Sequence, residues 1–153
     1  GGHKIYPKII LDNNNISEDK FTSLVKHNSN IKIVQDAMFS STNEIRGTSY
    51  RSRIDDPKYQ FAGKTGTAQV KKITKRDREL DLETSEIPYE ERDHAIYIAF
   101  GPFKNPRYAV SILVEHGGSG SSVAAPLAKI LFKKIIDRHE IRKNFELNKY
   151  LNI

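Results

Sequence analysis

The densest chemistry in this chain lies in five consecutive residues, Gly63-Lys64-Thr65-Gly66-Thr67. An ammonium and two hydroxyls stand beside backbone that carries no side chain at Gly66. Such a set attracts an anion and hydrogen-bonds it. Gly-Lys-Thr also ends the phosphate-binding loop of nucleotide hydrolases. That loop needs a glycine where Lys58 stands, and its Lys-Thr must open a helix. Here Ala68-Gln69-Val70 continues an extended pattern begun by Phe61-Ala62, so a nucleotide loop is rejected. Residues 59–70 read instead as a strand interrupted by two glycines. Glycines inside a strand mark a bulge or a place where something approaches the backbone closely.

A Lys-Thr-Gly strand is shared by the serine acyl-enzymes, the penicillin-binding proteins and serine β-lactamases. The run Phe61-Ala62-Gly63-Lys64-Thr65-Gly66-Thr67-Ala68-Gln69 resembles the class B penicillin-binding proteins. Residues 94–103 are similar to that family's next strand, and Asn105-Pro106-Arg107-Tyr108-Ala109-Val110 to its hairpin turn and last strand. Residues 114–126, with Gly117-Gly118-Ser119-Gly120, resemble its loop into the C-terminal helix. Gly1-Gly2 with Pro7, and the helix ending in Arg46-Gly47-Thr48, resemble its upstream elements. The motifs occur in the family's order, over residues 1–138.

The resemblance implies roles. Lys64 draws in a substrate carboxylate, Thr65 and Thr67 hydrogen-bond it, and Gly66 lets the substrate backbone lie against the strand. The Thr67 N–H points at a developing oxyanion. Lys64 and Thr67 are thus the expected catalytic residues, and Lys64, Thr65, Gly66 and Thr67 the substrate-binding ones. The implied reaction is D,D-transpeptidation during cell-wall elongation, on peptidoglycan stem peptides, with acylation by β-lactams. Implied partners are the remainder of a parent enzyme and the elongation machinery. The implied place is the periplasmic face of the bacterial inner membrane, with the anchor outside this chain. A serine β-lactamase fragment is the nearest alternative, which the loop at 117–120 fits less well.

The reaction needs a serine in Ser-x-x-Lys and a Ser-x-Asn loop. Ser17-Glu18-Asp19-Lys20 and Ser23-Leu24-Val25-Lys26 match the first pattern and Ser41-Thr42-Asn43 the second. All three are read as coincidental. Ser17 and Ser41 are only 24 positions apart, where the family has a helical subdomain. The nucleophile is therefore expected outside this chain, which alone is expected to be inactive.

Several elements must hold the strand in place. Ile31, Val34, Ala37, Met38 and Ser41 recur every three or four residues and predict a helix over 31–44. Two apolar runs, 94–103 and 108–115, flank Lys104-Asn105-Pro106-Arg107 and predict a hairpin. Their near-continuous apolarity predicts cover on both faces. Val123, Leu127, Ile130, Leu131, Lys134, Ile135 and Arg138 predict one face of a final helix, with Ser121 or Ser122 as its cap. Between strands, 14 of the 23 residues at 71–93 are charged, which predicts a surface excursion. The expected fold is α+β, three antiparallel strands packed by helices, as in the C-terminal portion of a penicillin-binding transpeptidase or β-lactamase-like domain. It occupies 1–138, with a charged tail at 139–153.

The composition excludes further classes. There is no cysteine, so no disulfide framework or Cys-ligated metal. The five histidines are scattered and predict no metal site, and no cofactor is expected. No apolar run approaches the roughly 20 residues of a membrane span. The net charge of +6 and the tail from Lys129, seven basic and three acidic residues, suggest a nucleic-acid module as a second alternative. The charges are distributed without a recognition motif, so no nucleic-acid partner is expected. An exposed half-domain surface suggests a homodimer.

Overall fold

The computed structural model describes residues 3–4, 23–72 and 82–151, with side chains through Phe145. Most of the expected first segment, the loop at 12–15, Ser17-Glu18-Asp19-Lys20 and the centre of the excursion lie outside these residues. The chain divides into two units, 1–37 and 38–153. In the first, His3 and Ser23 form an isolated antiparallel bridge. The Ser23 hydroxyl donates to the carbonyl of Val25 at 2.7 Å. A turn closed by Asn30 N–H on His27 C=O (3.1 Å) opens helix α1, Asn28–Asn43.

Helix α1 ends in the second unit and matches the predicted helix to within three residues. Its face differs. Val34 is exposed, Met38 and Ser41 are half-buried, and the one fully buried side chain is Thr42. Thr42 is buried because its hydroxyl has buried backbone to bond, a gain that apolar periodicity cannot register.

The sheet of the second unit has β1 (Ala62–Ala68), β2 (His94–Gly101) and β3 (Tyr108–Val114) in the order β1-β2-β3, antiparallel throughout. Register pairs Lys64 with Ile98, Thr65 with Tyr97 and Gly66 with Ile96. On β2, buried Ala95, Tyr97 and Ala99 alternate with Ile96, Ile98 and Phe100. Ile98 and Leu113 lie on the opposite face and are exposed, so among the described residues only one face is closely covered. The apolar runs suggested two. Their β-branched residues suit a pleated strand on either face, and strand propensity cannot report which is buried.

The covered face meets helix α2, Ala125–Leu151, through Ala125, Ala128, Phe132 and Ile136. This is a different stripe from the predicted one. Leu127, Ile130 and Leu131 point outward, 38–51% exposed. The helix carries apolar residues on two sides, and the alanine side approaches the sheet closely. Phe132 then stacks on Phe61 at 4.9 Å between ring centroids. The ring of Phe61 also meets Tyr97 edge-on at 6.4 Å. Each such aromatic, fully buried, contributes about 1.5–3 kcal/mol of apolar transfer. Helix α2 continues through the charged residues after Asp137.

The entry to α2 also differs from expectation. A five-residue π-helical turn, Gly120–Ala124, precedes it, and Ser119 is the cap, accepting from the N–H of Ser122. A Cβ at Gly120 would crowd the carbonyls of Ile96 (2.5 Å) and Gly66 (2.6 Å). The loop is thereby pressed onto β1 at the centre of its motif.

Candidate substrate-binding strand

Among the described residues β1 is an edge strand of this sheet, so alternate N–H and C=O groups point away from β2. Thr65, Gly66 and Ala68 are half-buried, whereas Lys64 and Thr67 are exposed. The Lys64 ammonium donates to the Thr65 carbonyl at 2.8 Å and to its hydroxyl at 3.3 Å. Cation and hydroxyl thus stand together at the sheet edge, where an incoming carboxylate can meet both.

The two glycines differ in physical demand. A Cβ at Gly63 would collide with the ring and hydroxyl of Tyr97, so the fold itself requires that glycine. The nearest neighbour of a Cβ at Gly66 would be Ile96, at an ordinary 3.4 Å. Nothing on its own side of the sheet demands a glycine there. A bare backbone at Gly66 suits a molecule lying along the strand.

Behind β1 is a polar network. Tyr97 is fully buried, and its hydroxyl meets Thr42 Oγ1 at 2.9 Å and Ser49 Oγ at 3.0 Å. Burial pushes the Tyr97 phenol above its ordinary range, partly offset by those two hydroxyls. Thr42 Oγ1 accepts the Gly63 N–H at 3.0 Å. Ser49 donates to the Ser41 carbonyl at 3.0 Å, and Asn43 Nδ2 to the Phe61 carbonyl at 2.9 Å. The last turn of α1 therefore grips the backbone leading into the motif. Satisfied networks of this kind fix geometry, because an unpaired member is costly in a low dielectric.

The Ser41-Thr42-Asn43 match sits in this brace, with Thr42 and Asn43 committed to the backbone of residues 61–63. Ser23 and Lys26 lie in irregular chain before α1, not on a helix that would align them. Thr48, Ser49 and Tyr97 escaped the sequence reading. Their one trace is the density of hydroxyls at 48–49 after a glycine.

Two further ties hold the ends of β1. Tyr59 and Lys58 bond Asp137 on α2, at 2.5 and 3.3 Å, and Lys58 pairs with Glu140 at 2.7 Å. The Tyr59 hydroxyl, then the Lys58 ammonium, hold the Asp137 carboxyl below its usual range. At the other end, Asp93 accepts the Val70 N–H at 3.2 Å. The His116 N–H donates to His94 Nδ1 at 2.9 Å, fixing the turn after β3. Among the described residues no cluster of three or more His, Asp or Glu is arranged to hold a metal. Nor is any helix there long and apolar enough to cross a membrane.

The chain matches the penicillin binding protein transpeptidase domain over residues 1–137. Peptidoglycan D,D-transpeptidase MrdA of Salmonella typhimurium is 34% identical over 105 residues, 69% of this chain and 16% of that protein. The Haemophilus influenzae MrdA is 34% identical over 113 residues, 74% of this chain and 16% of that protein. Among solved structures, the penicillin-binding protein PBP2 of Helicobacter pylori, in complex with MreC, superposes with a TM-score of 0.61. It is 29% identical, over 80% of this chain and 20% of that one. Pseudomonas aeruginosa PBP2 in complex with WCK 5153 gives 0.53 at 34% identity, over 71% of this chain and 20% of that one. The chain thus spans about one sixth of the length of these curated relatives. With the Lys-Thr-Gly-Thr strand at the edge of an antiparallel sheet backed by the C-terminal helix, the chain belongs to the penicillin-binding protein transpeptidase domain family, among relatives of the PBP2 and MrdA kind.

Proposed function

We propose that this chain forms the substrate-binding wall of a serine D,D-transpeptidase that cross-links peptidoglycan stem peptides during wall elongation. The observation that carries this reading is the edge strand β1, with Lys64 and Thr65 gathered at its rim and a Gly66 that the packing around it does not require. The terminal carboxylate of a D-Ala-D-Ala stem binds Lys64, Thr65 and Thr67, and its backbone runs over Gly66. A serine Oγ then attacks the penultimate carbonyl, whose oxygen develops negative charge beside the Thr67 N–H. The C–N bond breaks, and the terminal D-alanine leaves with the serine's proton. An amine of a neighbouring stem attacks the ester, the new amide forms, and its proton returns to the serine. A β-lactam acylates the same serine by opening its own C–N bond, the proton passing to the ring nitrogen.

That serine lies outside this chain on the same reading. Thr42 and Asn43 are occupied in bracing β1, and Ser23-Leu24-Val25-Lys26 lacks the helical geometry that aligns a serine with its lysine. The enzyme works at the periplasmic face of the inner membrane, with partners of the elongation machinery. The MreC complex of the Helicobacter pylori relative supports the assignment of partners. Fluorescent penicillin tests the proposal. The full-length protein carrying this segment labels covalently, and the isolated 153-residue chain does not. Labelling of the isolated chain, abolished by Ser17→Ala, would overturn the placement of the nucleophile.

A further inference from the structure

Three hydroxyls stand in file up to Lys64. Ser41 Oγ is 3.1 Å from Thr48 Oγ1, which is 3.4 Å from Thr65 Oγ1, and Thr65 Oγ1 accepts from Lys64 at 3.3 Å. A hydroxyl has one proton and two lone pairs, and an ammonium can only donate. Lys64 therefore occupies one lone pair of Thr65. If Thr65 donates to Thr48, its only proton is spent inward and an arriving carboxylate meets a bare oxygen. If Thr48 donates, both lone pairs of Thr65 are filled and its proton points off the strand edge. A carboxylate at that edge selects the second arrangement, because a hydrogen bond to an anion outweighs one between neutral hydroxyls. Ser41 then donates to Thr48, and the file runs Ser41 to Thr48 to Thr65 to carboxylate, each bond strengthening the next.

The turn carrying Thr48 is fixed at both ends. Gly47 N–H bonds Glu44 C=O at 2.8 Å, and Ser49 N–H bonds Ser41 C=O at 3.0 Å. The side chain of Ser49, next to Thr48, is itself in the Tyr97 network. The donor is therefore held in place before any ligand arrives.

We infer that Thr48 is a positioning residue for the anion site: it orients the Thr65 hydroxyl, beside Lys64, toward the carboxylate of the substrate. This rests on the transpeptidase reading above. It is tested on the full-length protein by acylation rates with a penicillin bearing its free carboxylate and with its methyl ester. For Thr48→Val the expected loss with the free acid is about three- to ten-fold, the range of one neutral hydrogen bond. Thr48→Ser, which keeps the donor, stays within about two-fold. All three proteins react alike with the ester. An unchanged free-acid rate in Thr48→Val overturns the inference, as does an equal loss with acid and ester, which marks a merely structural residue. If the unaltered protein is acylated by neither compound, the transpeptidase reading falls and takes the inference with it.

Discussion

Gly63 and Gly66 are separated by two residues and serve different masters. Gly63 leaves room for the Tyr97 ring, whereas an added Cβ at Gly66 would make only ordinary contact with Ile96. Gly63→Ala is therefore expected to destabilise the fold by about 1–3 kcal/mol, the usual cost of forcing a methyl into packed surroundings. Gly66→Ala is expected to keep the denaturation midpoint and lose acylation activity. Urea melts and penicillin labelling of the two variants separate the cases. The motif was legible because its chemistry is contiguous in sequence. Its brace was not: Thr42 and Ser49 reach Tyr97 across 55 and 48 positions, and hydroxyl pairs follow no periodicity. Tyr97 gives a pH test. Its phenol titrates higher folded than unfolded, so its contribution to stability is complete below the unfolded value near 10 and is lost as pH rises beyond it. The stability gap between the unaltered protein and Tyr97→Phe should narrow in that window and hold constant below it. A gap unchanged through alkaline pH would contradict the burial of the phenol that raises it.

Helix α2 shows why an element can be foreseen and its orientation missed. Spacing revealed a helix, but Leu127, Ile130 and Leu131 outrank Ala125 and Ala128 in hydrophobicity and so marked the wrong side. The covered sheet face meets small residues that let the helix axis approach, with one aromatic packed on Phe61. Phe132→Ala is expected to cost about 3–5 kcal/mol, as a buried aromatic leaving a cavity. Leu127→Ala and Ile130→Ala are expected to stay within about 0.5 kcal/mol, as exposed substitutions away from special features. Chemical denaturation of the three variants decides between the two stripes. The strands were easier to place, since their turn residues punctuate the sequence, though only the structure shows that Ile98 and Leu113 face outward.

At the scale of the whole molecule, this chain aligns with about one sixth of the length of its curated relatives. The α+β class, the three strands and the family were legible because several separated motifs kept their order. The central claim is that Lys64 and its strand receive the substrate carboxylate. The measurement that tests it most directly is the acylation rate of the full-length protein by a carboxylate-bearing penicillin, before and after Lys64→Ala. Loss of a hydrogen bond from a charged donor predicts a fall of at least about ten-fold, with the folded state unchanged by circular dichroism. A Lys64→Ala protein acylated at the unaltered rate would contradict the account.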